Sequence, residues 1–196
     1  GTAEVTVGAL HLKIDCGAST PADGWESDAS YVSGMVGDPY TFEAEISTDG
    51  VANAAPASVY RTVRHNNHSY DFAGIANGNY IVRFHLADGF GGARAIDYIG
   101  EGEAVIDNLD IAAEAGGLSK ALVKEFEITV SDGNGMQIEC NRDSGDDVFE
   151  GGIEIISADI ELRSNYSPQG GHPPAVRDLQ SARRAPVQMI DIAGRT

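Results

Sequence analysis

Apolar residues at every second position are the sequence feature that most constrains the fold of this chain. In Tyr80–Ala87 (YIVRFHLA), the even-numbered side chains are apolar or aromatic and share one face, while the other face carries Arg and His. Because successive side chains of a strand point to opposite faces, this alternation predicts a half-buried antiparallel β-strand, entered through an Asn77-Gly78 hairpin turn. The same alternation on both sides of a glycine-containing turn predicts a β-hairpin over Phe126–Cys140.

Shorter stretches of similar composition predict further strands near Leu10–Cys16, Ser58–Val63, Ser69–Phe72, Ala95–Ile99, Ala104–Leu109 and Ile153–Ile156. One short segment, Ile111–Ala115, has a helical pattern, which Gly116-Gly117 would end. The 24 glycines among 196 residues lie well above the usual share of about 7% and indicate many tight turns. Short strands joined by glycine-rich turns predict an all-β protein, a β-sandwich of the jelly-roll type.

The composition changes after Leu162. Ser164–Pro174 (SNYSPQGGHPP) is rich in Pro, Gly and Ser, as in a linker. We therefore predict a β-sandwich over residues 1–162, followed over 163–196 by a linker and the truncated start of another module, with an extra strand at Val187–Ile192. The sequence starts without Met and stops after a Gly-Arg pair, so we expect a mature protein or an excised module.

The strongly acidic balance of the chain excludes two classes of partner. Thirty acidic residues against 13 basic residues give a formal net charge of −17, which opposes both a phosphate backbone and an anionic membrane surface. No stretch approaches the roughly 18 consecutive apolar residues that a membrane span needs. We therefore expect neither nucleic acid nor membrane as a partner.

The motifs of common catalytic and metal sites are missing from the sequence. It contains no GxSxG, HExxH, P-loop or GxGxxG pattern. Of the five histidines, His65 and His68 are three positions apart and would face opposite sides of an extended strand. We expect solvated loop histidines, no catalytic residue and no metal ligand among them.

The acidic segment NRDSGDDVFE leaves three alternatives open, centred on Asp143, Asp146, Asp147 and Glu150. It could be a solvated loop, a site for a hard cation such as structural calcium, or a set of acceptors for sugar hydroxyls. Asp143, Asp146 and Glu150 could also serve a small glycosidase, which needs two suitably spaced carboxyl groups.

The two cysteines also leave alternatives open. Cys16 and Cys140 lie on predicted strands, and they are either joined by a disulfide or are two buried, inert thiols.

Aromatic residues give a more specific indication. Six of them lie in or beside predicted loops: Trp25, Tyr31, Tyr40, Tyr60, Tyr70 and Phe90. Sugar rings stack their apolar faces on aromatic side chains, and their hydroxyls pair with polar groups such as carboxylates. The alternatives are a core position, above all for Tyr60, and a lid over the sandwich for Trp25.

The order of motifs resembles the malectin and malectin-like carbohydrate-binding family over residues 10–158. The motifs are KIDCG, GWESDASYVSG, VYRTVRH, NGNYIVRFHLADGFGGARAIDYIGEG, VIDNLDIAAEAGG, KEFEITVSDGNGMQIEC and GGIEII. The resemblance implies a galactose-binding-like β-sandwich without catalytic activity that binds glucose-containing oligosaccharides. The tail Arg183–Thr196 resembles the start of sorting domains on bacterial secreted proteins, which implies a secreted or cell-surface location in bacteria.

The resemblance also implies site residues, position by position. Tyr40 falls near the first family tyrosine, with Tyr31 as a competitor, and His65 stands in place of the second. Phe90 matches one family aromatic residue, whereas Gly91 replaces the next.

The late family aspartate corresponds to Asp146 or Asp147. Together with Trp25 from the aromatic pattern, these residues form the predicted carbohydrate site. The two departures, at His65 and Gly91, imply a ligand different from that of malectin.

We therefore expect a non-catalytic, monomeric binding module. It would recognise a glucan-type or related plant or microbial polysaccharide or oligosaccharide and direct an appended secreted enzyme to it. The alternatives are a calcium-stabilised structural or adhesion module and, with less support, a small glycosidase.

Overall fold

A computed structural model of the protein describes residues 10–34 and 37–158. The predicted linker and the extra strand at Val187–Ile192 lie outside the described residues. Among the described residues, no helix is both long enough and apolar enough to cross a membrane.

The described residues form twelve β-strands, one short α-helix and two 3-10 turns. The strands are β1 (His11–Asp15), β2 (Glu26–Ser27), β3 (Val32–Gly34), β4 (Tyr40–Thr41), β5 (Thr62–Val63), β6 (His68–Phe72), β7 (Gly78–Ala87), β8 (Arg94–Gly100), β9 (Glu103–Leu109), β10 (Ala121–Val130), β11 (Met136–Gly145) and β12 (Gly152–Ser157). The helix is α1 (Ile111–Ala115), and the 3-10 turns are Asp28–Ser30 and Ala57–Tyr60.

Two five-stranded sheets form a sandwich around one core. The first sheet has the strand order β10-β7-β12-β1-β2, and the second has the order β3-β6-β11-β8-β9. β4 and β5 form a separate two-stranded ribbon. The predicted all-β sandwich is confirmed. The predicted strand over Ser58–Val63 is wrong in its first part, because Ala57–Tyr60 form a 3-10 turn and only Thr62–Val63 form a strand.

The core follows the alternation of β7. The four even-numbered side chains of Tyr80–Ala87 are buried, as the pattern predicts. The second half of the strand is buried on its other face as well, where Arg83 and His85 find partners. Tyr60 is a core residue: its hydroxyl lies 2.9 Å from Nδ1 of His85 and accepts a hydrogen bond from the Ala55 backbone.

The prediction of a β-hairpin over Phe126–Cys140 is wrong. β10 pairs with β7 over ten positions of the first sheet, whereas β11 pairs with β6 and β8 in the second sheet. The turn between β10 and β11 therefore crosses from one sheet to the other, and the Asn77 side chain holds it through Ser131 and Gly133. Alternation identifies each strand but not its partner, because strands in opposite sheets turn their apolar faces toward the same core.

The Asn77-Gly78 turn is likewise not a hairpin. It links β6 of the second sheet to β7 of the first sheet. The expectation of solvated histidines is wrong for His68 and His85, which are buried on β6 and β7.

Helix α1 begins and ends where the sequence predicts. The Asp110 side chain accepts a hydrogen bond from the Ala113 backbone N–H, as an N-cap does. Gly116 ends the helix in the left-handed region at φ 74°, a conformation that disfavours other side chains. Buried Ile111 anchors the helix to the core, so the helix fixes the position of the following loop, which contains Leu118.

Candidate functional site

Three large apolar side chains are exposed among the described residues, and neighbouring contacts bring them to one edge of the sandwich. Tyr40 is 46% exposed, Phe90 57% and Leu118 49%. The rings of Tyr40 and Phe90 lie 5.6 Å apart at an interplanar angle of 72°. Leu118 lies against Gly91, the neighbour of Phe90. We refer to Tyr40, His65, Phe90 and Leu118 as the aromatic edge.

Tyr40 is positioned by the short ribbon and by a stacked histidine. It pairs with Val63 across β4 and β5, and its ring lies 4.3 Å from the His65 ring at 33°. Both ring nitrogens of His65 are engaged, with the Asp38 carbonyl oxygen at 2.8 Å and Oδ2 of Asp147 at 3.2 Å. His65 is thus held as a support beneath Tyr40, and its side chain is only 12% exposed.

Phe90 stands on two buried rings. Phe42 and Phe149 lie 5.1 Å and 5.9 Å from the Phe90 ring, and both are almost fully buried. Contacts of this kind between aromatic rings fix the orientation of an exposed ring. Phe90 therefore presents a firmly held apolar surface to the solvent.

A buried ion pair shapes the turn that carries Phe90. Arg94 donates from Nε to Oδ2 of Asp88 at 2.8 Å, and Oδ1 of Asp88 accepts hydrogen bonds from the backbone N–H groups of Phe90 and Gly91. Burial raises the pKa of Asp88, but the hydrogen bonds from Arg94 and from the two backbone groups outweigh burial and hold that pKa below its ordinary value. The turn is therefore pinned by a charged network.

Arg94 also joins this turn to the acidic segment. Its guanidinium group donates to the Asp147 carbonyl oxygen at 2.6 Å and lies 4.1 Å above the centre of the Phe149 ring. The loop of Phe90 and the segment after β11 are thus held together by one side chain.

The two adjacent aspartates have different roles in the structure. Asp147 accepts hydrogen bonds at Oδ1 from the backbone N–H groups of Asn66 and Val148, so it organises the two loops. Asp146 is exposed, and none of the described residues donates a hydrogen bond to its carboxylate. That carboxylate lies against Gly92, where any side chain would displace it. Asp146 is therefore the carboxylate that is free to bind a ligand.

A shallow depression of about 320 Å³ lies between these groups. Tyr40, Phe90 and Phe149 line it together with Asp146 and Asp147. Its volume is at the lower end of the range for ligand pockets, which is about 300–1,000 Å³. Larger depressions of about 460 Å³ lie elsewhere, one of them among Asp71, Glu101 and Asp132, but no aromatic side chain lines it.

The structure thus brings together Tyr40, His65, Phe90, Asp146 and Asp147, and it places Trp25 and Tyr31 elsewhere. Trp25 is 8% exposed and packs edge-on against His85 at 5.4 Å. Tyr31 packs on Phe72, which pairs with Met136 at the start of β11.

The aromatic edge lies near the other end of that strand, just beyond Gly145. Trp25 and Tyr31 therefore contribute to packing at other places in the sandwich.

Sequence reasoning missed three residues of this site. Arg94 ends the glycine-rich stretch GFGGAR, and its position six residues after the acidic Asp88 is the signal that could have indicated an ion pair. Leu118 and Phe149 carry no such signal, because an isolated apolar residue in a loop looks the same whether it is buried or exposed.

Several solved structures have the same fold. The extracellular domain of ANXUR2 from Arabidopsis thaliana has a TM-score of 0.66 and 18% identity, covering 76% of this chain and 48% of that chain. A chain in the complex of the plant peptide RALF23 with FER and LLG2 has a TM-score of 0.66 and 16% identity, with coverage of 76% and 48%. The β-glucuronidase of Bacteroides uniformis has a TM-score of 0.58 and 23% identity, with coverage of 76% and 18%.

At these identities the likeness establishes a common fold. This chain spans about half the length of the plant proteins that it matches. No curated protein matches it at a significant level.

The family assignment comes from the sequence profile of the domain. The family model of the malectin domain matches residues 10–151, a stretch that includes the aromatic edge and eleven of the twelve strands in full. This chain therefore belongs to the malectin domain family.

Proposed function

We propose that this chain is a non-catalytic carbohydrate-binding domain and that the aromatic edge is its saccharide site. The observation that carries the proposal is the exposure of Tyr40 and Phe90 side by side, next to the free carboxylate of Asp146. An aromatic ring offers the apolar face of a sugar a stacking surface, and a carboxylate accepts hydrogen bonds from its hydroxyls. Malectin domains are in general binding modules, which supports the absence of a catalytic role.

The geometry supports a short stretch of a neutral saccharide as the ligand. Two rings at 72° form a corner that contacts a sugar from two sides. Asp146 and the net charge of −17 oppose anionic sugars such as uronic acids. We propose a glucan-type or related plant or microbial polysaccharide, bound with modest affinity because few groups contact it.

We further propose that the domain belongs to a secreted or cell-surface protein of bacterial origin and directs a linked enzyme to its polymer. The B. uniformis β-glucuronidase, which contains a region of the same fold, supports a linked catalytic module. The extracellular domain of ANXUR2 supports a location outside the cell.

Affinity electrophoresis in gels containing soluble polysaccharides tests the site. We expect retardation by at least one neutral polysaccharide and none by polygalacturonate. Phe90→Ala, Tyr40→Ala and Asp146→Asn should each reduce the retardation. Asp143→Asn, the control for Asp146→Asn, should not, because both aspartates are exposed and close in sequence but only Asp146 lies in the depression. Unchanged binding in all three variants, at Tyr40, Phe90 and Asp146, would place the ligand elsewhere.

A second assay separates binding from catalysis. The retarded polysaccharide is incubated with the protein, and released reducing sugar is measured. The proposal predicts no release above that of a buffer control. Release that disappears in Asp146→Asn would instead support a glycosidase.

A further inference from the structure

Three side chains with metal-binding atoms converge inside the sandwich. His68 on β6 pairs directly with Cys140 on β11, and both are buried. Glu150 lies after β11, where its backbone forms an isolated β-bridge with Arg64. Its side chain reaches the same point as His68 and Cys140. One ligand atom from each of His68, Cys140 and Glu150 lies within 4.8 Å of the other two. We propose that this buried cluster, separate from the aromatic edge, is a binding site for Zn²⁺.

The orientation of His68 matches that of a metal ligand. Its Nδ1 donates a hydrogen bond to the Asn66 carbonyl oxygen at 2.8 Å. In the neutral ring this bond leaves a lone pair on Nε2, which is directed into the cluster. Metal-bound histidines commonly hold their other ring nitrogen in this way, because the bond fixes the tautomer and the ring plane.

Glu150 supplies the second argument, since its carboxylate is buried without hydrogen bonds. Its side chain is 0% exposed, and neither oxygen has a hydrogen-bond partner among the described residues. Nε2 of His68 lies 2.9 Å from Oε2 of Glu150, but it too lacks a geometrically acceptable hydrogen bond. Burying polar atoms in this state is costly, and a cation between them removes the cost.

The chemistry of the three ligands selects zinc among the divalent cations. Thiolate and imidazole are ligands of Zn²⁺, whereas Ca²⁺ and Mg²⁺ prefer oxygen alone. One thiolate and one carboxylate neutralise the charge of Zn²⁺, so the loaded cluster adds no net charge to the core. The fourth position of a tetrahedral zinc site is left to a ligand other than these three side chains.

The competing account is a metal-free ion pair between a His68 imidazolium and the Glu150 carboxylate. It explains the 2.9 Å distance, and it keeps the Cys140 thiol protonated beside the Glu150 carboxylate, since burial and that negative charge raise the pKa of the thiol. The two accounts differ in a property that can be measured: only the zinc site deprotonates Cys140 to a thiolate that bonds to a metal.

The test uses the full chain, refolded with and without Zn²⁺ and then freed of loose metal by gel filtration. We expect one zinc per chain by elemental analysis and a Tm that rises with zinc concentration and falls with EDTA. Refolding with Co²⁺ should give a thiolate-to-cobalt charge-transfer band, which an ion pair cannot produce. A folded protein that retains no zinc, shows no such band and keeps the same Tm in EDTA would overturn the proposal.

Paired cysteine variants locate the site. Cys140→Ser should lose the zinc and the cobalt band, while Cys16→Ser, which changes the other buried thiol, should retain both. Loss of zinc in Cys16→Ser, with zinc retained in Cys140→Ser, would overturn the assignment of ligands. Should Cys140→Ser fail to fold, the wild-type zinc content and cobalt spectrum still decide the matter.

Discussion

Two histidine–carboxylate pairs join the same two segments of the chain, and each residue of the second pair stands three positions after its counterpart in the first. The two pairs have different environments. His65 lies 3.2 Å from Asp147 at the aromatic edge, and His68 lies 2.9 Å from Glu150 inside the sandwich. The outer pair has a hydrogen-bond partner for each ring nitrogen and for each carboxylate oxygen. The inner pair is completely buried, and its carboxylate has no hydrogen bond.

The difference shows how location decides the chemistry of similar side chains. At the edge, backbone groups satisfy the pair, which then serves to hold Tyr40 and two loops in place. In the core the charges are removed from bulk solvent, so a histidine–carboxylate pair without hydrogen bonds requires an ion or a suitable arrangement of protons. A third pair, His85 and Glu154, is also buried, but it is fully bonded.

The largest effect that would test this comparison is expected from His68→Ala. Removing one partner of a buried pair leaves the other uncompensated and should lower the free energy of unfolding by about 3–5 kcal/mol. His65→Ala removes a partly exposed pair and should cost about 1 kcal/mol. Urea denaturation of both variants in EDTA measures the difference, and equal losses would contradict the contrast.

The next effect concerns acid stability and the fully bonded pair. Burial raises the pKa of Glu154, but hydrogen bonds from His85 and His11 outweigh it and lower that pKa from 4.5 to about 2. Because the pKa is lower in the folded state, this stabilisation is complete above pH 4.5 and is lost as the pH falls toward 2. The loss amounts to roughly 3 kcal/mol.

Denaturation curves between pH 5 and pH 2 would measure this loss. Glu154→Gln should flatten the acid limb of the curve, whereas Glu127→Gln, which changes an exposed carboxylate on β10, should not. An unchanged acid limb in Glu154→Gln would assign the acid sensitivity to other carboxylates.

A smaller effect separates stability from binding at the aromatic edge. Phe90 is 57% exposed, so Phe90→Ala should change the Tm little, yet it should weaken saccharide binding by about tenfold, or 1.4 kcal/mol. Isothermal titration with a polysaccharide that retards the wild type measures the binding. A large fall in Tm with unchanged affinity would make Phe90 a packing residue.

The smallest effect is expected from Asp146→Asn. Exchanging one acceptor for a neutral amide should weaken binding about threefold to tenfold, in line with a hydrogen bond of roughly 0.5–1.5 kcal/mol. Asp143→Asn should leave the affinity unchanged. Equal losses in the two variants would indicate a general effect of charge in place of a contact with the ligand.

Much of the architecture could be predicted because local patterns carry it. The alternation marked β7, β10 and β11, and Gly116-Gly117 marked the end of α1. The pairing of β10 with β7 could not be predicted, since the alternation is the same for a neighbour in one sheet and for a partner across the core.

The candidate site could be predicted in part. Tyr40, His65, Phe90, Asp146 and Asp147 were named from the family resemblance, and the structure groups them. Which aspartate is free and which is bonded depends on the N–H groups of distant Asn66 and adjacent Val148, and no local pattern records that.

The sequence by itself determined the long strands, the glycine end of α1 and the family of this protein, because these depend on periodicity and on residues close together in the chain. Only the tertiary structure decided which side chains meet. It buried His68 beside Cys140 and Glu150, and it set Trp25 against His85. The physical reason is that burial and hydrogen bonding arise from contacts between segments far apart in the chain, and those contacts determine the roles of chemically identical residues.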